Sequence, residues 1–152
     1  MEISKTENIT ESLLSEYNSI IKENEDIYRD LARKMGLSEC GFWILYMLRT
    51  GYGAPVQSEL CTCLHEPKQT INSALKKMES EGYLELIPGK DHRSKQILLT
   101  QKGTRLCEET VDKVVRIEQD AFRGLAEKEQ EQFLFLFHKF TDLLKKYMRK
   151  IP

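Results

Sequence analysis

The chain has 152 residues, which suits one domain or one compact lobe carrying long helices; 40% are apolar and 31% charged, enough for a core beneath solvated helix faces. The net charge of −1 excludes a polycation, but charge is uneven: residues 65–105 hold eight Lys and Arg against five Asp and Glu, and the remainder fifteen against nineteen. No apolar run reaches the roughly 18 residues of a membrane span, and Met1–Lys5 lacks the basic start and apolar core of a signal peptide. A cytoplasmic protein is expected, with Cys40, Cys61, Cys63 and Cys107 as thiols.

Residues 1–9 are polar and expected to fray, with Thr10 as the N-cap of a first helix. Leu14, Tyr17, Ile21, Tyr28, Leu31 and Met35 recur at three- and four-residue steps, broken only by Asn24 at a stripe position, and Gly36 stops the pattern. Ser38 caps a second helix whose seven successive apolar or aromatic residues, Phe42–Leu48, require cover on most sides. After a turn at residues 51–55, Val56–Leu64 reads as a short third helix with Val56, Leu60, Cys63 and Leu64 inward. A tight turn at His65–Glu66 leads into a fourth helix over residues 67–81. There Ile71, Ala74, Leu75 and Met78 make one apolar stripe, while Gln69, Ser73 and Lys76 project opposite and Asn72 sits at the edge. Amides, hydroxyls and ammonium groups are the side chains that bond base edges and phosphates.

Gly82 ends that helix, and Leu84–Pro88 and Gln96–Thr100 follow as antiparallel strands with Leu84, Leu86, Ile97 and Leu99 inward. Between them Lys90, Asp91, Arg93 and Lys95 lie on a basic loop. Two short helices at a tight turn followed by a hairpin with a cationic tip make a winged helix–turn–helix. Thr100 is placed to cap a fifth helix to about Gly124, with Leu106, Val111, Val114, Ile117 or Glu118, Ala121 and Leu125 on its stripe. A sixth helix spans about Glu127–Lys150; its broad apolar face (Phe133, Leu136, Phe137, Phe140, Leu144, Tyr147) asks for a partner chain.

Five segments in this order resemble the MarR family of transcription regulators: Gln57–Leu60, Lys68–Asn72, Leu75–Tyr83, Asp91–Ser94 and Leu99–Gly103. The fold class expected is mainly α with a small β-wing, residues 37–100 forming the winged helix–turn–helix and residues 1–36 with 101–152 a helical dimerisation region. The resemblance implies a homodimer that binds double-stranded DNA and represses, leaving a pseudo-palindromic operator when a small, often aromatic ligand enters. By that analogy Lys68, Gln69, Thr70, Asn72, Ser73, Lys76, Lys90, Arg93 and Lys95 face DNA, Arg93 in the minor groove, and Asp91 orients Arg93. Tyr28, Phe42, Trp43 and Tyr46 are the candidate ligand-pocket residues.

Two departures from the family pattern stand out. Glu66 occupies a turn position usually small or apolar, where a carboxylate favours the helix N-terminus but repels phosphate. Ala126 replaces a capping Ser or Thr before the last helix, at a cost of about 1 kcal/mol. Glu66 and the thin basic surplus support an alternative, a winged-helix dimer serving as a protein-interaction or ligand-binding module without DNA. A thiol- or metal-responsive regulator is a further variant, with Cys40 and Cys107 the better redox candidates. Cys61 and Cys63 point about 200° apart on a helix and so do not chelate one ion together. No Gly-rich phosphate loop, serine elbow or metalloprotease motif is present, and His65, His92 and His138 fall on separate elements, so neither an enzyme nor a cofactor is expected.

Overall fold

The computed structural model describes residues 2–51, 55–89 and 94–151, with side chains from residue 8 onward. Among them the chain forms α1 (Glu2–Lys34), α2 (Glu39–Thr50), α3 (Gln57–Leu64), α4 (Lys68–Ser80), β1 (Leu84–Pro88), β2 (Lys95–Leu99), α5 (Gln101–Glu109), α6 (Val111–Arg123) and α7 (Glu127–Met148). The Cα framework divides into two compact units, Met1–Val111 and Asp112–Pro152. No helix of the described residues is long and apolar enough to cross a membrane.

In the first unit the core is built where the apolar stripes of α2, α3 and α4 meet the inner face of the hairpin. Phe42, Ile44, Leu45, Leu60, Ile71, Leu75, Leu84 and Ile97 are all within 1% of complete burial. Each such side chain contributes roughly 1.5–3 kcal/mol by leaving water. The hairpin pairs Leu84 with Leu99 and Leu86 with Ile97, so the expected inward alternation holds, with β2 beginning one residue earlier than expected. Val56 does not join α3. It bridges to Gln96, while the Ile97 N–H donates to the Pro55 carbonyl at 3.0 Å, and this adds a short third rung to the wing. The Val56 N–H is satisfied by the Glu59 carboxylate at 2.9 Å, which anchors the start of α3.

The helix stops are local devices. At Gly36 (φ 70°) the N–H donates to the Arg33 carbonyl (3.0 Å), and the Leu37 N–H donates to the Ala32 carbonyl (2.9 Å). At Gly82 (φ 79°) the Gly82 N–H donates to the Glu79 carbonyl and the Tyr83 N–H to the Met78 carbonyl, both at 2.9 Å. Both are Schellman endings, in which a left-handed residue lets two late carbonyls find donors. Ser38 accepts from the Gly41 N–H and Thr100 from the Gly103 N–H, each at 3.0 Å, as N-caps do.

Three expectations need correction. The first helix does not start at Thr10 but continues back to Glu2, because a capping residue permits a start without enforcing one and no Gly or Pro precedes it. The single fifth helix is two. Thr110 leaves helical geometry (φ −123°, ψ −93°), its hydroxyl donating to the Leu106 carbonyl at 2.6 Å, and a β-branched side chain bonding back this way competes with the backbone ladder. Finally, Cys63 is exposed rather than inward, since in so short a helix Leu60 alone reaches the core.

The second unit is α6 from Asp112 together with α7. Phe122, Phe133 and Phe137 form a run of rings, 6.4 Å apart edge-on and 5.8 Å apart stacked. No residue of α7 is buried, and Phe135, Leu136, Tyr147 and Met148 all stand more than half exposed. Ala126 lacks a side-chain cap, as expected, but the Glu129 carboxylate accepts from its N–H at 2.7 Å and recovers half of a capping box.

Candidate nucleic-acid interface

The buried stripe of α4 orients its opposite face. With Ile71, Leu75 and Met78 inward, Gln69, Thr70, Ser73 and Lys76 are exposed and Asn72 half-buried at the edge. Beside this face lies an open groove of about 650 Å³ bounded by α3, α4 and the wing. Lys68, Asn72 and Lys76 enter it from α4 and Lys95 from β2, so four of the nine expected DNA-facing side chains converge there. Gln69, Thr70 and Ser73 lie on the exposed surface of α4 without lining the groove. Lys90, Asp91 and Arg93 lie outside the described residues. Three ammonium groups against the single carboxylate of Glu79 make the groove cationic, although the chain as a whole is not.

Two residues not expected at the site share this groove, Gln57 and Ser58 at the start of α3. The Gln57 side-chain amide nitrogen is buried without a hydrogen-bond partner among the described residues. An orphaned buried amide costs about 1–3 kcal/mol unless something arrives to pair with it. The sequence signal was the Gln57–Leu60 segment itself: Glu59 caps, Leu60 fills the core, and Gln57 and Ser58 are left for the groove.

The turn into α4 separates the groove from a second cavity of about 420 Å³. Trp43 and Tyr46 line it, with Glu39, Cys40 and Met47 from α2, Cys63 and Leu64 from α3, and Glu66 from the turn. Of the other two expected pocket residues, Tyr28 packs its ring 4.9 Å from Trp43 and steadies it from α1, and Phe42 is fully buried in the core beneath. His65 holds this turn in the left-handed region (φ 53°). Glu66, expected to repel phosphate, faces the aromatic cavity and does not line the groove. Burial first, then the Glu66 carboxylate and the Cys61 thiol, push the Cys40 thiol above its ordinary value. Cys107 is fully buried. Neither placement favours a reactive thiolate. Among the described residues no group of three or more His, Cys, Asp or Glu side chains is placed to hold a metal.

A helix–turn–helix, a hairpin wing and a cationic groove between them define a winged-helix protein. No family model matches the chain. YwoH of Bacillus subtilis (strain 168), an uncharacterized HTH-type transcriptional regulator, is 29% identical over 105 residues, covering 69% of this chain and 76% of YwoH. Among solved structures the fold is that of MarR regulators. NMB1585, a MarR family regulator from Neisseria meningitidis, superposes with a TM-score of 0.78 over 92% of this chain and 99% of its own, at 18% identity. MepR of S. aureus, in a complex with DNA, gives 0.66 over 84% and 94% at 21% identity. BpsR of Bordetella bronchiseptica, whose DNA binding is regulated by 6-hydroxynicotinic acid, gives 0.62 over 83% and 98% at 19% identity.

Proposed function

We propose that the chain is a DNA-binding transcriptional regulator of the MarR type, acting in the cytoplasm as a homodimer. It represses by occupying a pseudo-palindromic operator, which it leaves when a small ligand binds. The observation that carries this reading is the cationic groove between α3, α4 and the wing, with Lys68, Asn72, Lys76 and Lys95 converging on it.

In this reading α4 lies in the major groove. Asn72 reads a base edge, an amide bonding adenine through both its donor and its acceptor, with Gln69, Thr70 and Ser73 alongside. Lys68, Lys76 and Lys95 neutralise phosphates, and the Gln57 amide donates to a phosphate oxygen as the first helix of the motif crosses the backbone. At the wing tip Arg93 enters the minor groove, oriented by Asp91, with Lys90 on the flanking phosphate. Residues 1–36 and 101–152 form the dimerisation region, whose exposed apolar side chains a second copy covers. MepR bound to DNA and BpsR regulated by a small aromatic acid are the precedents of the same fold for the operator and ligand steps.

Fluorescence anisotropy with a duplex carrying the operator tests the assignment. Lys76→Ala is expected to weaken binding on every sequence and to lower the salt slope by about 1, one phosphate contact being lost. Asn72→Ala is expected to cost about 1–3 kcal/mol on the operator and to relax preference at one base pair. Equal losses on operator and random duplex for both variants would contradict the assignment. A stable dimer with no affinity for any duplex at low salt would instead support the non-DNA module.

A further inference from the structure

Glu66 departs from the family pattern in sequence, and in the fold it lines the rim of the second, half-open cavity rather than the DNA groove. We infer that the cavity between α2 and the α3–α4 turn binds an organic cation with a flat aromatic body, held between the Trp43 and Tyr46 rings and the Glu66 carboxylate. The inference gives the ligand class for the regulator proposed above and rests on that reading for its biological meaning, though not for the binding itself.

The first argument is the wall chemistry. The Trp43 and Tyr46 rings, which both line the cavity, meet each other edge to face with centroids 5.3 Å apart at 67°. Indole and phenol faces attract cations through the ring quadrupole. The Met47 thioether adds a soft, polarisable surface suited to aromatic ligands. The aromatic wall is also braced: Tyr28 stands 4.9 Å from Trp43 on one side and Phe42 5.1 Å away on another, so the indole is held in place before any ligand arrives.

The second argument is charge. Glu39 and Glu66 line the cavity, and no Lys, Arg or His does among the described residues. Arg29 approaches Glu39 at 3.7 Å and partly answers it. Glu66 has no ion pair among the described residues. An aromatic acid entering here would set its carboxylate against Glu66, whereas a cation would supply the missing partner. The raised Cys40 thiol is consistent with the same negative field, since Glu66 contributes to it after burial. At about 420 Å³ the cavity lies within the range of small-molecule sites.

The third argument is position. Cys63 and Leu64 of α3 face this cavity, while Ser58 and Cys61 of the same helix face the DNA groove. A ligand seated against Glu66 therefore bears on the turn that leads through Pro67 into Lys68, the first groove-lining residue of α4.

The test uses DNA-free protein, so that failure of the DNA reading and failure of this one remain separate. Trp43 is the only tryptophan in the chain and its emission reports the cavity directly. Calorimetric titration with N-methylquinolinium is expected to show saturable binding with a shift in Trp43 emission, and 1-naphthoate, of similar shape and opposite charge, is expected to show none. Glu66→Gln should weaken the cation about threefold, the loss of one solvent-exposed charge partner. Glu85→Gln, an exposed change of the same charge on β1, should leave the cation's affinity as it was. Naphthoate binding as tightly as the cation, no saturable binding of the cation, or an unchanged affinity in Glu66→Gln would each overturn the inference.

Discussion

Gln57 carries a cost in the free protein, because its amide nitrogen is buried with nothing to donate to among the described residues, and under the proposed function DNA removes that cost. Replacing it by Met, of similar length and no hydrogen-bonding need, is expected to leave thermal stability unchanged or slightly raised while weakening DNA binding. Loss of stability in Gln57→Met, measured by thermal melting, would show the amide to be paired after all. Cys40 is half-buried on the wall of the second cavity. Its thiol is held above the ordinary range by burial, Glu66 and Cys61, in that order. Since the thiolate is the nucleophile, Cys40 is expected to alkylate more slowly than exposed Cys63 at neutral pH, with a rate profile displaced to higher pH. Mass-spectrometric alkylation rates check this, and comparable rates for the two thiols would contradict it. Asn72 and Lys76 were legible in the sequence because the 100° helical step alone sets their face. Gln57 was not, since its surroundings depend on the Val56–Gln96 bridge between residues distant in the chain.

Elements here hold one another by their ends. The last turn of α4 meets the first turn of α5. Thr100 Oγ1 donates to the Gly82 carbonyl (2.6 Å), Lys102 Nζ donates to the Glu81 carbonyl (2.6 Å), and the Lys102 ammonium lies 4.6 Å over the Tyr83 ring. A Cβ at Gly103 would overlap the Tyr83 carbonyl oxygen, so this approach exists only because the residue is glycine. Gly103→Ala is expected to destabilise by roughly 3 kcal/mol or more, as overpacking against backbone does. Gly82→Ala, whose Cβ would make only an ordinary van der Waals contact with Lys102 Cδ at 3.8 Å but which must take a left-handed backbone, should cost only about 1–2 kcal/mol. Urea denaturation ranks the two, and the reverse order would refute the role given to the α4–α5 junction. These junctions were readable in Gly82 and in Thr100–Gly103 because caps and stops are written in neighbouring residues. The start of α1 and the break at Thr110 were not, because Thr10 and Thr110 suit a cap, a helix interior or a kink equally, and tertiary surroundings choose.

At the scale of the molecule, the exposed apolar side chains of α1 and α7 need cover. Leu13 is 61% exposed and Phe135 65%, yet each lies on a helix whose stripe has the regularity of a buried face. That demand was plain in the sequence, where Phe133–Phe137 is too broad for one neighbouring helix; what covers it is not encoded in any single segment. Under the homodimer reading, Phe135→Asp with Leu136→Asp is expected to shift sedimentation toward the monomer and, through mass action, to weaken operator binding steeply with dilution. An unchanged sedimentation profile would move the interface elsewhere. Under the proposed function a two-fold dimer reads DNA through α4 and the wing. Selection of bound duplexes from a random library, followed by binding at two salt concentrations, tests it most directly. A pseudo-palindrome with half-sites about 10 bp apart is expected to be enriched, with affinity that falls steeply with salt. Recovery of no shared sequence, with no binding at low salt while the dimer stays intact, would contradict it.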